Sequence, residues 1–169
     1  MKFLIYALIT FATIATGVLV YGYTLSPVRS GTSSNECLAP ARVLLSTILD
    51  VESQPSWRKN VTSVRRTGEA SVWIEKMRQG AETTFTLEDA NQRFVSMTFV
   101  SNQGYYGKWS AEFTELSETR TMITATEEVT VKSPLGRILS RLFFNPEEFA
   151  AIYLKELCSE AERRTVKSN

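Results

Sequence analysis

Glu75 follows Trp73 by two residues inside the alternating run Ser71 to Met77, so the carboxyl and the indole share one face of a predicted strand. A carboxyl group set among aromatics is pushed towards its protonated form, where it either anchors a ligand or acts as a general acid. On the rim of a sheet the same glutamate is simply solvated. Glu127 and Glu128 are neighbours on another predicted strand and point to opposite faces, so only one of them can enter an interior and they form no paired-carboxylate site. Thr124 and Thr126 share the face of Glu128, where they either donate hydrogen bonds inward or stand exposed as strand formers. The sequence contains no histidine, which removes catalytic triads, histidine-ligated metals and histidine pH switches together. Cys37 and Cys158 are too few and too far apart for a zinc cluster or a CxxC motif. They are either two free thiols or, in an oxidising compartment, a bridge enclosing most of the domain and worth about 4 to 5 kcal/mol on the loop-entropy model. These residue types ask for no cofactor and no metal.

The 19 basic and 18 acidic residues are interspersed and leave a formal charge of +1. That is not the basic excess needed to neutralise phosphates, so no nucleic-acid partner is expected. Arg58, Lys59, Arg65 and Arg66 form a local basic cluster that is either solvated or turned to anionic headgroups. Phe3 to Val28 carries no charge, and Phe3 to Tyr23 as a helix spans about 31 Å, close to the hydrocarbon thickness of a bilayer. Lys2 precedes this run, and Tyr21 and Tyr23 lie at its far end, where aromatic rings favour the interface. Small residues suited to signal-peptide cleavage fall inside the apolar run at Ala15-Thr16-Gly17 or fit poorly at Gly22-Tyr23-Thr24. Residues 1–25 therefore read as a transmembrane anchor in preference to a signal peptide. The charge bias puts the amino terminus in the cytoplasm and the domain outside it, periplasmic or lumenal. Residues 26–35 read as a tether or a possible first strand, 36–164 as one domain, and 165–169 as a disordered tail.

Within the domain, Pro40 opens a helix in which Val43, Leu44, Thr47 and Ile48 recur at helical spacing until Asp50, and Glu52 to Trp57 makes one further short turn. Alternation then predicts six strands: Val61 to Arg66, Ser71 to Met77, Glu82 to Leu87, Arg93 to Val100, Tyr106 to Leu116 and Thr121 to Val131. The separators are short and turn-rich, among them Glu88-Asp89-Ala90-Asn91 and Asn102-Gln103-Gly104, which predicts an antiparallel meander. Ser133 and Asn145 each precede a proline at a helix start, so a long helical segment broken near Asn145 is expected from Ser133 to Arg164.

Several short features fall in a telling order: Ala39-Pro40-Ala41, Leu49-Asp50 with Pro55-x-Trp57, Trp73-x-Glu75, Gly107-x-Trp109 and Thr124-x-Thr126-x-Glu128. In that order they resemble the START-like superfamily of polyketide cyclase/dehydrase and lipid-transport proteins (SRPBCC) over about residues 35–162. The resemblance implies an α+β helix-grip fold, a curved antiparallel sheet of six or seven strands wrapped around a long C-terminal helix, here preceded by a transmembrane helix. It also implies a cavity between sheet and helix for a hydrophobic small molecule or lipid.

Period-two alternation places Trp73, Glu75, Phe85, Leu87, Met97, Phe99, Trp109 and Phe113 on an inward face, with Leu142, Phe149, Ile152 and Tyr153 offered by the closing helix. These residues either line a ligand cavity or fill a solid core. The leading expectation is a membrane-anchored protein that binds or transports an apolar molecule without covalent chemistry. A cyclase-like enzyme using Glu75 or a tyrosine, and a ligand-free interaction domain docking through a flexible aromatic loop at Gly104 to Trp109, are the alternatives.

Overall fold

The computed structural model describes residues 2–168. Met1 and Asn169, the outermost residues of the expected anchor and tail, lie outside that range. The chain begins with helix α1 (Lys2–Thr24), strand β1 (Val28–Cys37), helix α2 (Ala41–Leu49) and a 3-10 turn over Val51–Ser56. The strands β2 (Val61–Arg66), β3 (Val72–Met77), β4 (Glu82–Asn91), β5 (Phe94–Ser101), β6 (Tyr105–Ser117) and β7 (Arg120–Val131) follow. Helices α3 (Pro134–Phe143) and α4 (Pro146–Ser168) close the molecule. The seven strands form one antiparallel sheet in the order β1-β7-β6-β5-β4-β3-β2, so β1 crosses over to pair with β7 while the rest is a meander. The sheet curves around α4, which packs on β1, β7 and α2. The core between them holds Leu44, Ile48, Trp73, Val95, Ile123, Leu154 and Leu157.

Two details depart from the pattern reading, at Glu88 to Asn91 and at the end of α4, and two decide between alternatives it left open. Glu88 to Asn91 is strand and not turn: β4 carries a bulge between Leu87 and Asp89, and the hairpin turns at Gln92 and Arg93. An inserted residue breaks the alternation by which a strand is recognised. Tyr105 to Trp109 is likewise strand and not a loop, with Gly104 alone supplying the left-handed turn residue at φ +81°. Thr124 and Thr126 face outward, where their hydroxyls meet those of Ser34 at 2.8 Å and Thr32 at 3.0 Å across the β1–β7 pair. Finally, α4 continues past Arg164 to Ser168.

Cys37, at the end of β1, and Cys158, on α4, form a disulfide with a Cα–Cα separation of 5.0 Å, closing a span of 121 residues. Asn35 donates from its side-chain amide to Cys158 Sγ at 3.3 Å. The helix break also has a sequence cause. Ser133 caps α3 through Gly136 N–H, Asn145 caps α4 through Glu147 N–H, and each helix begins with a proline.

Candidate functional site

Between the concave face of the sheet and α4 lies a cavity in two connected parts. The inner part, about 70 Å³, is lined by Glu75, Phe85, Met97, Phe99, Trp109, Phe149 and Tyr153, joined by Gln54, Arg58, Met77, Thr83, Tyr105 and Glu127. The outer part, about 410 Å³, shares Met77, Tyr105, Glu127 and Phe149 with it. It opens between the β3–β4 turn at Gln79 and Ala81 and the α3–α4 junction at Ser140, Phe143 and Phe144. An outer part of this size falls within the range of small-molecule sites.

Aromatic packing gives the walls their shape. Trp73 stacks on Phe85 at 5.5 Å, Phe85 meets Phe99 at 5.6 Å, and Trp109 meets Tyr153 edge-on at 5.2 Å. At the mouth, Phe144 and Phe149 lie 5.7 Å apart.

One end of the inner cavity is polar. Glu75 is 2% exposed; its Oε2 accepts from Arg58 Nη1 at 2.8 Å and its Oε1 from Trp73 Nε1 at 3.0 Å. Arg58 also donates to Gln54 Oε1, and its guanidinium stands over the Tyr153 ring at 5.1 Å from the centroid. Gln54 is held in turn by Ile48 O at 3.2 Å. Burial works against the Arg58 charge, yet Glu75, Tyr153 and Glu156 more than offset it and hold its pKa above the ordinary arginine value. Burial likewise pushes the Tyr153 phenol well up, with Arg58 opposing and the two glutamates adding.

Glu127 is different. It is 6% exposed and lines both parts of the cavity, and no hydrogen bond or ion pair reaches its carboxyl group among the described residues. Burial raises its pKa to about 7, Arg58 pulling down and Glu75 pushing up. Near neutrality it is therefore partly protonated, and it offers a donor and an acceptor into a space whose remaining walls are mainly aromatic and aliphatic. Among the described residues no group of cysteine, aspartate and glutamate gathers in a metal-holding cluster.

The expected inward face is thus largely brought together around one space, with corrections. Trp73 and Phe113 are core residues: Trp73 sits behind Phe85 as a donor to Glu75, and Phe113 is buried but outside the cavity lining. Leu87 packs against the core beside its partner Met97. Leu142 and Ile152 are exposed, because Leu142 lies on α3 and Ile152 on the outer side of α4. The Gly104 to Trp109 segment is not a flexible aromatic loop: of its three aromatic residues Trp109 is buried, Tyr105 lines the cavity, and Tyr106 is exposed under the Lys132 ammonium. Arg58 leaves the basic surface cluster to become the counter-ion of Glu75. Of the adjacent pair it is Glu127 that enters. Strand parity was the available signal for Glu127, because it shares a face with the buried Ile123, Ala125 and Val129.

The profile of one protein family, described as polyketide cyclase / dehydrase and lipid transport, matches residues 38–152. No curated protein sequence matches the chain significantly. Among solved structures, the chain is similar to the Zhui aromatase/cyclase of a Streptomyces species, with a TM-score of 0.69, 14% identity, and coverage of 82% of this chain and 96% of that one. A START superfamily protein from Mycobacterium smegmatis superposes with a TM-score of 0.62 at 16% identity over 83% and 99% of the two chains. Norcoclaurine synthase from Thalictrum flavum, in complex with dopamine and hydroxybenzaldehyde, gives 0.61 at 10% identity over 83% and 90%. At such identities the likeness is one of fold.

Proposed function

The chain belongs to the polyketide cyclase / dehydrase and lipid transport family, and on that premise we propose that it binds or carries a hydrophobic small molecule or lipid in the cavity between sheet and α4, without covalent chemistry. The observation that carries this reading is the buried, unpartnered carboxyl of Glu127 facing a space walled by Phe85, Met97, Phe99, Trp109, Phe149 and Tyr153. The apolar walls take the body of the ligand, and Glu127 meets a hydroxyl or carbonyl on it. Each oxygen of Glu75 already accepts a hydrogen bond, from Arg58 and from Trp73, so in this reading it shapes the polar end.

In this reading α1, which is long and apolar enough to span a bilayer, holds the domain at a membrane, where poorly soluble ligands concentrate. The Cys37–Cys158 bridge supports a domain outside the cytoplasm, since disulfides persist in oxidising compartments. Native mass spectrometry of the full chain in detergent, followed by extraction, tests the proposal. A stoichiometric and chemically narrow set of apolar molecules is expected, and Met97→Trp, which fills the inner cavity, should lose it. A clean unliganded mass that persists after incubation with membrane lipids would refute the cavity reading.

Glu127 also favours a second reading. A carboxyl with a pKa of about 7 beside Tyr153 and Arg58 suits acid–base catalysis of a cyclisation in the same cavity. That reading requires turnover of a cyclisable aromatic substrate that Glu127→Gln abolishes while binding persists.

A further inference from the structure

In contact with water, a helix at a protein surface turns its apolar stripe inward. α3 does the reverse. Its polar side holds the domain: Arg137 donates to Val131 O and Leu25 O, Arg141 donates to Ser26 O, and Ser140 O accepts from Arg29. Its apolar stripe of Leu135, Leu139, Leu142 and Phe143 faces outward, with Leu142 67% and Phe143 81% exposed. No residue of α3 is buried.

The position of α3 says what covers that stripe. The candidate membrane span α1 is bare along its length and meets the rest of the molecule chiefly at α3. The meeting point is the last turn of α1, where Gly22 lies so close to Pro134 that a Cβ on it would come 2.5 Å from the Pro134 carbonyl oxygen. Tyr21 and Tyr23 are exposed on the same turn, as interfacial aromatics are. The charged residues of α3 and the link before it are Lys132, Arg137 and Arg141, with Glu147 and Glu148 following at the start of α4.

We propose that α3 lies flat in the interfacial layer of the leaflet where α1 ends, with Leu135, Leu139, Leu142 and Phe143 among the acyl chains. The cavity mouth, whose rim includes Ser140, Phe143 and Phe144, then faces that leaflet. The molecule it admits is a bilayer-dissolved amphiphile entering sideways, and not a solute arriving from water. This rests on the reading of α1 as an anchor and of the cavity as a ligand site.

The experiment uses the full, oxidised chain in vesicles of phosphatidylethanolamine and phosphatidylglycerol, spin-labelled singly at Ile14→Cys, Leu142→Cys or Phe143→Cys, with Glu112→Cys as the aqueous reference. Both α3 labels should gain collisions with oxygen and lose collisions with a nickel chelate relative to Glu112→Cys, as Ile14→Cys does. If Ile14→Cys is lipid-exposed while both α3 labels collide with nickel as Glu112→Cys does, the interfacial placement is wrong and the anchor stands. If the α3 labels are shielded from both reagents, protein covers the stripe and the proposal is likewise overturned. If Ile14→Cys is itself aqueous, the anchor reading fails and the proposal falls with it. Leu139→Glu combined with Leu142→Glu, neither of which lines the cavity, should slow uptake of a pyrene-labelled fatty acid from the vesicles while leaving its uptake from detergent micelles unchanged. Equal rates from vesicles would overturn the sideways route.

Discussion

The Arg58–Glu75 pair is buried deeply enough that its two charges depend on each other, since each was removed from water to make it. Arg58→Met leaves the Glu75 carboxylate uncompensated and is expected to cost about 3–5 kcal/mol in urea unfolding. Arg58→Met with Glu75→Gln, which keeps an acceptor for Trp73, should recover much of the loss; an equally unstable double variant would show that the ion pair is not the cause. Glu127 makes the complementary prediction. Its pKa rises from 4.5 to about 7 on folding, so between those values the folded state holds a proton that the unfolded state has released. Stability should therefore fall as pH rises through this window and level off above it, by an amount on the order of 3 kcal/mol. Glu127→Gln should flatten the curve measured by urea unfolding between pH 5 and 8. Neither role was plain in the sequence. Arg58 stands beside Lys59 and near Arg65 and Arg66, so its charge reads as surface. Only the 3-10 turn over Val51–Ser56 directs it back to Glu75.

At the scale of elements, the strands of the meander were legible from their β-branched and aromatic content, and most plainly in β6 and β7, where a buried face alternates with a more exposed one. β1 was not, and the reason is physical. Its inward positions are Arg29, Gly31, Ser33 and Asn35, which do not serve an apolar core. Arg29 instead satisfies the carbonyls of Ser140 and Phe144 at the end of α3, a task for a cation. β1 is also the strand that carries the bridge to α4. Reducing Cys37–Cys158 opens a loop with a sequence separation of 121, which lowers stability by about 5 kcal/mol on the loop-entropy model. A melting curve of the full chain with and without dithiothreitol measures this, and an unchanged midpoint would mean that the sheet and α4 hold β1 without the covalent bond. α3 was legible as a helix from its spacing, but not in its orientation, because periodicity reports which residues share a face and not which way that face turns.

On the scale of the whole molecule, the two ends of the domain meet on one side. α1 leads into β1, β1 joins α4 through the disulfide, and α3 sits beside the end of α1. The family match runs from just before α2 into the start of α4, while α1, β1 and Cys158 lie outside the matched residues. The bridge bears on how the domain responds to a pull. Tension entering through α1 can peel away only the ten residues of β1 before it reaches Cys37, where the load passes directly into α4 and bypasses the rest of the sheet. Stretched by its termini, the oxidised chain would keep the whole stretch between Cys37 and Cys158, a sequence separation of 121, out of the line of force, a hidden length of roughly 400 Å when fully extended. All the residues that line the cavity lie inside that shielded loop, so a pull on the two termini does not run along the backbone of its walls.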